Sequence, residues 1–478
     1  MLFYKPEDGW LGDCIPFFWE GEYHIFYLKD YRDPERHGEG MPWFHIGTRD
    51  FVTYTDYGEA LPRGTRDDQD LGVYTGCVVE HDGLFHIFYT GDNRYFRAHG
   101  TPGEAVMHAT SPDLIHWTKD PLTCVVADAS RYEVHDWRDP FVFWNEEAGE
   151  YWMLVAARLK QGPIHRRGCI ALVVSHDLQT WEVRDPFWAP GLDEIPECPE
   201  VFHCGGWWYL IYSTSSESTL THYRMSRSLT GPWRAPVTDA FDSQAYYAAK
   251  TASDGHRRFA FGWTPTRQGD DDTGVWQWGG NLVVHEVVAD IDGALHVRVP
   301  PEVTQPFTTA IPLQPEPRMG EWDVTGGGAL SVRADGGFAW CRLVEMPAVC
   351  YLETLLTCTP ETRGCGVILR ADDTLDAYYA LRWEPGRNRI VFDRWPRPSG
   401  WPRPGDQPFM LECPVIVPPG APIRLQVLVK GSMIVMYVND QIALSTRGYD
   451  HTAGACGVFV SEGAASFAAT RLLVQHPE

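Results

Sequence analysis

Apolar runs long enough to cross a bilayer are missing from this 478-residue chain. Its first residues, MLFYKPEDGW, have neither the basic start nor the apolar stretch of a secretory leader, so a cytoplasmic protein is expected. The twelve cysteines are scattered without one CxxC pair, which argues against a zinc site or a disulfide framework and for buried, reduced thiols. No GxSxG elbow and no Walker or Rossmann glycine pattern occurs in context, which excludes those hydrolase and nucleotide-binding classes. Long helical periodicity is absent. Basic residues are few: 40 Lys and Arg against 64 Asp and Glu, a net charge of −24. That balance argues against nucleic acid, anionic membranes and polyanionic substrates as partners.

What the chain has in quantity is aromatic residues, 13% with 20 Trp. Such rings stack on sugar faces and also fill β cores, so their number alone does not choose. The length implies two domains. Short aromatic and β-branched runs, broken by Gly, Asp and Pro, read as strands.

The strands of the first three hundred residues repeat. HIFYL at 24–28 returns as HIFYT at 86–90, and YWMLVAA (151–157) and WYLIYST (208–214) hold the same place in their units. A turn glycine precedes each: Gly21, Gly83, Gly149 and Gly205 or Gly206. A second signature follows, SPDLIHW (111–117) and SHDLQTW (175–181), with looser copies TRDFVTY (48–54) and SRSLTGPW (226–233). A fifth unit contains YYAAKTASDGHRRFAFGW (246–263). Five such units predict a five-bladed β-propeller over 1–305. His24 and His86 are copies within the repeat and read as strand residues. Cys14, Cys77 and Cys198 read as packing between blades.

Counting back eight residues from the turn glycines Gly21, Gly83, Gly205 and Gly255 reaches Asp13, Thr75, Glu197 and Tyr247; ten back from Gly149, across a longer turn, lies Asp139. One position in the repeat, the start of each first strand, therefore carries Asp, Thr, Asp, Glu and Tyr. In a propeller these starts meet at one mouth of the central channel. Three carboxylates gathered there need compensation, by a metal, a basic partner or a catalytic use. Arg138 supplies one positive neighbour. Asp- and Asn-rich ligand loops are missing around these positions, so no metal is expected. GDDDTG (269–274) reads as a solvated acidic turn. Carboxylates flanking a glycosidic bond are the usual apparatus of glycoside hydrolysis.

Several segments then resemble glycoside hydrolase family 32, the invertase, levanase and inulinase group. WRDPFVF (137–143) resembles its Arg-Asp-Pro motif and ECPEVF (197–202) its Glu-Cys motif. FDSQAYYAAKT (241–251) with RRFAFGW (257–263) resembles its fifth-blade pattern, and WFHIGTRDFVTY (43–54) its first-blade Trp-x-His segment. The resemblance implies a retaining β-fructofuranosidase without a cofactor, acting on a small carbohydrate. It assigns Asp13 as nucleophile, Asp139 as transition-state stabiliser and Glu197 as acid/base. Arg138, Thr75, Tyr247, Trp10, Trp43 and Trp276 are its substrate-binding candidates. The opening motif departs from the family's Trp-x-Asn-Asp-Pro-Asn-Gly: Gly12, Cys14, Ile15 and Pro16 surround the Asp, and Leu28 stands where Gln is common. These changes are expected to remove polar contacts to the sugar. Another furanoside, as for an arabinofuranosidase, and a non-catalytic sugar-binding propeller stay open as alternatives.

A Pro-rich stretch, 306–319, reads as a linker. Alternating strands over 320–478 predict a β-sandwich. A structural role is expected of it, with sugar binding or homo-oligomerisation as the sharper alternatives.

Overall fold

The computed structural model describes residues 2–326, 328–397 and 410–476. Strand is their dominant element, and none of their helices is long and apolar enough to cross a membrane.

The first set of strands is β1 (Trp10–Trp19), β2 (Glu22–Asp30), β3 (Trp43–Thr48) and β4 (Thr55–Leu61). The second is β5 (Gly72–His81), β6 (Leu84–Asp92), β7 (Glu104–Ser111) and β8 (Thr118–Val125). The third is β9 (Tyr132–Asn145), β10 (Glu150–Leu159), β11 (Gly168–Ser175) and β12 (Glu182–Val183). The fourth has β13 (Glu197–Cys204), β14 (Trp207–Thr214) and β15 (Leu220–Ser226), with bridges His222–Ala240 and Met225–Arg234 in place of a full outer strand. The fifth is β16 (Tyr247–Ser253), β17 (Arg258–Arg267), β18 (Trp276–Ala289) and β19 (Leu295–Arg298). Within each set, sequential strands pair antiparallel. β1 also meets β18 at Leu11 and Gly280, joining the first and fifth sets in one sheet.

The repeats have a local cause. Glu20–Gly21, Asp82–Gly83 and Gly205–Gly206 are two-residue hairpin loops with positive φ at both positions, as a type I′ turn requires. The second signature is also a turn. Asp113 accepts hydrogen bonds from the amides of Ile115 and His116, and Asp177 from those of Gln179 and Thr180. The next residue, Leu114 or Leu178, takes a left-handed φ and is buried. Asp50 and Phe51 repeat the arrangement in the first set. An Asx turn thus carries the chain from third to fourth strand and pins one apolar side chain in the core.

The five first strands touch in a closed cycle: β1 with β5, β5 with β9, β9 with β13, β13 with β16 and β16 with β1. Each is bulged, β9 midway along and the other four near their starts. One extra residue stands on the first strand between Leu11 and Cys14, Tyr74 and Gly76, Arg138 and Phe141, Glu197 and Glu200, and Tyr247 and Lys250. A bulge bends a strand and re-aims its side chains, and here it falls at one level in all five.

The remaining thirteen strands, β20 (Phe307–Ile311) through β32 (Ala455–Gln475), form one sandwich-like sheet folded over its own apolar core. The Pro-rich stretch is not a free linker. Its residues 307–311 pair with β32, and 316–319 pair with residues of the 330–345 strand. Two buried acids fasten the halves together. Asp242 accepts from the amide and hydroxyl of Ser445 and meets His285 at 2.9 Å, whose other ring nitrogen lies 2.8 Å from the Tyr437 hydroxyl. Asp272, in the acidic GDDDTG turn, is 3% exposed rather than solvated. It accepts from the amide of Tyr449 and the hydroxyl of Tyr379 and pairs with Arg394, since a buried carboxylate needs such partners.

Candidate active site

The five bulges bring Asp13, Thr75, Asp139, Glu197 and Tyr247 into one hydrogen-bonded cluster. Thr75 Oγ1 donates to Asp13 Oδ2 at 2.5 Å, and the Trp263 indole Nε1 donates to Asp13 Oδ1 at 2.9 Å. The Cys198 amide donates to Asp139 Oδ2 at 3.0 Å. The Cys198 thiol sits between the two acids, 3.9 Å from Asp13 and 3.8 Å from Asp139. Arg138 Nη2 donates to Glu197 Oε1 at 2.9 Å, and the Tyr247 hydroxyl donates to Glu197 Oε2. Glu104 holds Arg138 from behind, at 3.4 Å, while accepting from the Trp137 amide at 2.8 Å. Asp136 pairs with the same guanidinium at 3.5 Å and with Arg158 at 3.4 Å.

The backbone is strained where the cluster is tightest. Asp139, Cys198 and Ala248 all have φ between 51° and 58°. Left-handed φ in residues with a Cβ costs energy and gathers at functional sites. The Asp139 amide is satisfied by Thr90 Oγ1 at 2.7 Å, which in turn donates to the Thr75 carbonyl.

The environments divide the acids. Burial pushes the Asp139 carboxyl up to about 7, helped by the charges of Glu197 and Asp13 and opposed by Arg138 and the Cys198 amide. Burial also raises Asp13, against the hydrogen bonds from Thr75 and Trp263. Arg138 is stripped of water, yet Glu104, Glu197 and Asp139 hold it well above the usual guanidinium range. Burial, then Asp139 and Asp13, raise the Cys198 thiol, which therefore faces the carboxylates as S–H. Glu197 keeps 21% of its side chain exposed, against 6% for Asp139. Asp13, like Glu197, is half-buried.

The tryptophans are sorted differently from expectation. Trp43 has no exposed surface. It donates to the Tyr74 carbonyl and packs on Phe26 and Tyr89, so it is core and presents no face to a ligand. Trp10 lies between Lys5 and Arg32 and lines a cleft against the second region. Trp276 lies under the Arg267 guanidinium, 3.7 Å from its ring centre, beside the sandwich core. Trp278 is the ring at the cluster. It meets Trp263 at 5.4 Å, and Trp263 meets Tyr247 at 5.7 Å. A Cβ on Gly12 would fall 1.8 Å from Trp278, so the missing side chain at Gly12 is what lets the indole lie beside Asp13. Arg32 fixes this stretch by donating to the carbonyls of Trp278 and Gly279. Cys14, Ile15 and Leu28 are core residues with at most 2% exposure, so the departures there change packing rather than the pocket surface. His24 and His86 pair with His45 and His108, away from the cluster, and His135 accepts from the Gly103 amide.

Sequence reasoning missed Trp263, Glu104, Thr90, Cys198 and Trp278. Trp263 could have been found by pairing, since it is the direct partner of Tyr247 across the hairpin.

Residues 3–289 match the family model described as Glycosyl hydrolases family 32 N-terminal domain. A sucrose-6-phosphate hydrolase of Vibrio alginolyticus is 27% identical over 299 residues, 58% of each chain. A raffinose invertase of Escherichia coli is 28% identical over 335 residues, 65% of this chain and 66% of that one. The aligned chain thus spans less than two thirds of those relatives. In architecture it is similar to sucrose-6-phosphate hydrolase from Lactobacillus gasseri (TM-score 0.74, 18% identity, 99% of this chain and 92% of that chain). It is similarly close to fructan 1-exohydrolase IIa from Cichorium intybus (TM-score 0.73, 16% identity, 99% and 96%). With its match over more than half its length, the chain belongs to glycosyl hydrolase family 32.

Proposed function

We propose that the chain is a retaining β-fructofuranosidase acting on small fructosides, with residues 1–305 forming a five-bladed propeller whose mouth is the active site. The closed cycle of first strands supports the blade count. The relatives' names, sucrose-6-phosphate hydrolase and raffinose invertase, support the substrate class. The observation that carries the reading is the single network joining Asp13, Asp139 and Glu197 through Cys198 and Arg138.

In this reading Asp13, steadied by Thr75 and Trp263, attacks the anomeric carbon of the fructosyl unit. Glu197, more exposed than Asp139 and held by Arg138 and Tyr247, protonates the leaving oxygen and then takes a proton from the incoming water. Asp139 and Arg138 bind ring hydroxyls and stabilise the oxocarbenium-like charge. Tyr247 and Arg138 hold Glu197 in place throughout. Trp278 and Trp263 wall the pocket where a smaller polar side chain would otherwise reach in from position 12. No step calls for a metal or an organic cofactor. The second region serves as the support that Asp242 and Asp272 clasp.

Kinetics on a panel of sucrose, raffinose, short fructans and aryl furanosides tests this. Asp13→Ala should abolish turnover on every cleaved substrate without lowering the melting temperature. Cleavage confined to arabinofuranosides would move the assignment to another furanoside. Full activity in Asp13→Ala would remove the mechanism.

A further inference from the structure

We infer that Lys250 is a positioning residue, the buried counter-charge that holds Asp13 ionised from inside the channel without touching the sugar. The inference rests on the fructosidase reading above.

Lys250 is 2% exposed, and among the described residues its Nζ makes no hydrogen bond. It follows the bulge that begins at Tyr247, one step deeper along β16. Its Nζ lies 5.1 Å from the centre of the Phe141 ring on β9. β16 has β1 and β13 as neighbours in the ring, so the Lys250 side chain reaches past the adjacent first strand to a ring on β9.

A buried ammonium needs a carboxylate, and the one at its own level on β13 is already engaged. Glu200 accepts from the amide and hydroxyl of Thr251 and stands 3.8 Å from Arg258. Arg138 is shared among Glu104, Asp136, Asp139 and Glu197 and forms no ion pair with Asp13. Asp13 is therefore left with neutral donors, Thr75 from β5, Trp263 from β17 and the Cys198 thiol from β13, and with the repelling charge of Glu197. Burial raises the Asp13 carboxyl overall; the Thr75 and Trp263 hydrogen bonds oppose it first, and the positive charge of Lys250 adds a smaller pull in the same direction. Burial raises the Cys77 and Cys198 thiols, and the same positive charge opposes it. A nucleophilic carboxylate must be charged when the substrate arrives, and two neutral hydrogen bonds offset only part of its desolvation.

The test is the pH profile of kcat/KM for Lys250→Met, which keeps the length and apolar stem of the side chain. The acidic limb should move up by about one pH unit, roughly a tenfold loss on that limb. At pH values above the shifted limb kcat/KM should return to within a few-fold of the unaltered enzyme, with KM nearly unchanged. A purely structural lysine would lower stability and leave the limb in place, and that outcome overturns the inference. If Lys250→Met does not fold, NMR of the full chain labelled at lysine Cε decides, since the sequence has only six lysines. The Lys250 line, identified by its loss in Lys250→Arg, should be an ammonium line that moves in Asp13→Asn. A neutral amine, or no response to Asp13→Asn, overturns the inference. Absence of fructoside cleavage by the unaltered enzyme would instead defeat the underlying assignment, which the NMR result does not depend on.

Discussion

Arg138 on β9 and Glu197 on β13 form a 2.9 Å ion pair between two neighbouring sheets, with Glu104 supporting the same guanidinium at 3.4 Å. The pair fixes where Glu197 points and neutralises part of a four-acid cluster. Arg138→Met should lower kcat/KM by a hundredfold or more and destabilise the fold by about 3–5 kcal/mol, because it leaves buried carboxylates unpaired. Arg138→Lys keeps the charge but loses the planar fork, so it should recover most of the stability and little of the activity. Denaturant melts alongside steady-state kinetics separate the two effects.

The contact between Gly12 and Trp278 is the next point of sensitivity. Gly12→Ala forces the indole off its place beside Asp13 and should cost about 1–3 kcal/mol as overpacking. Trp278→Ala opens the pocket wall and should raise KM. The double variant should be less damaging than the sum of the two, since the displaced ring is gone. Strict additivity would show that the two positions do not share that space.

Asp139 gives stability a definite slope with pH. Its carboxyl is raised to about 7 in the fold, so the folded protein holds more protons than the unfolded chain between the ordinary carboxylate value and pH 7. Its contribution is fully present below pH 3.8 and is lost as pH rises through 7. Asp139→Asn should therefore stabilise the protein at pH 8 by a few kcal/mol and by much less at pH 4, while nearly abolishing turnover. Melting temperatures across that range check the sign.

The histidine pairs act in the opposite sense. Burial lowers His45 to about 3 and His86 to about 4, and lowers His24 and His108 as well. The unfolded chain takes up protons first, so stability contributed by these neutral rings falls as pH drops from 6.5 towards 4. His86→Asn should flatten that part of the pH–stability curve.

Charge at the mouth bears on the leaving group. Arg97 pairs with Asp92 and Glu104, Arg158 with Asp136 and Glu194, and Arg138 with four acids. These guanidinium groups are already matched, and the chain carries −24 overall. Sucrose should therefore be cleaved with a higher kcat/KM than its 6-phosphate, and the gap should narrow as salt is added.

The cluster was legible because hairpin chemistry repeats. Positive φ at Gly21 and Gly83 demands glycine, and counting eight residues back from them, or from Gly205, reaches the cluster. The bulges had no such mark, since one extra residue in a strand looks like any other. Without them the direction of a ring cannot be read, which is why Trp43 and Trp276 looked like pocket residues and Trp278 did not. Leu28 and Ile15 misled for a related reason. Their departure from the family pattern was visible, but their burial depends on the packing between the first two sets of strands. Asp272 looked solvated because its partners, Tyr379, Arg394 and Tyr449, lie more than a hundred residues away.

In the proposed mechanism Asp13 forms a covalent bond to the sugar while Glu197 serves as acid and base. The most direct measurement is mass spectrometry of Glu197→Ala quenched during turnover of an activated aryl β-fructofuranoside, a substrate that needs little protonation to leave. The account predicts an enzyme carrying one fructosyl unit, mapped to the peptide that contains Asp13, and released by added azide as a product of retained configuration. A fructosyl unit on Asp139, or steady turnover with no covalent sugar and an inverted product, would contradict it.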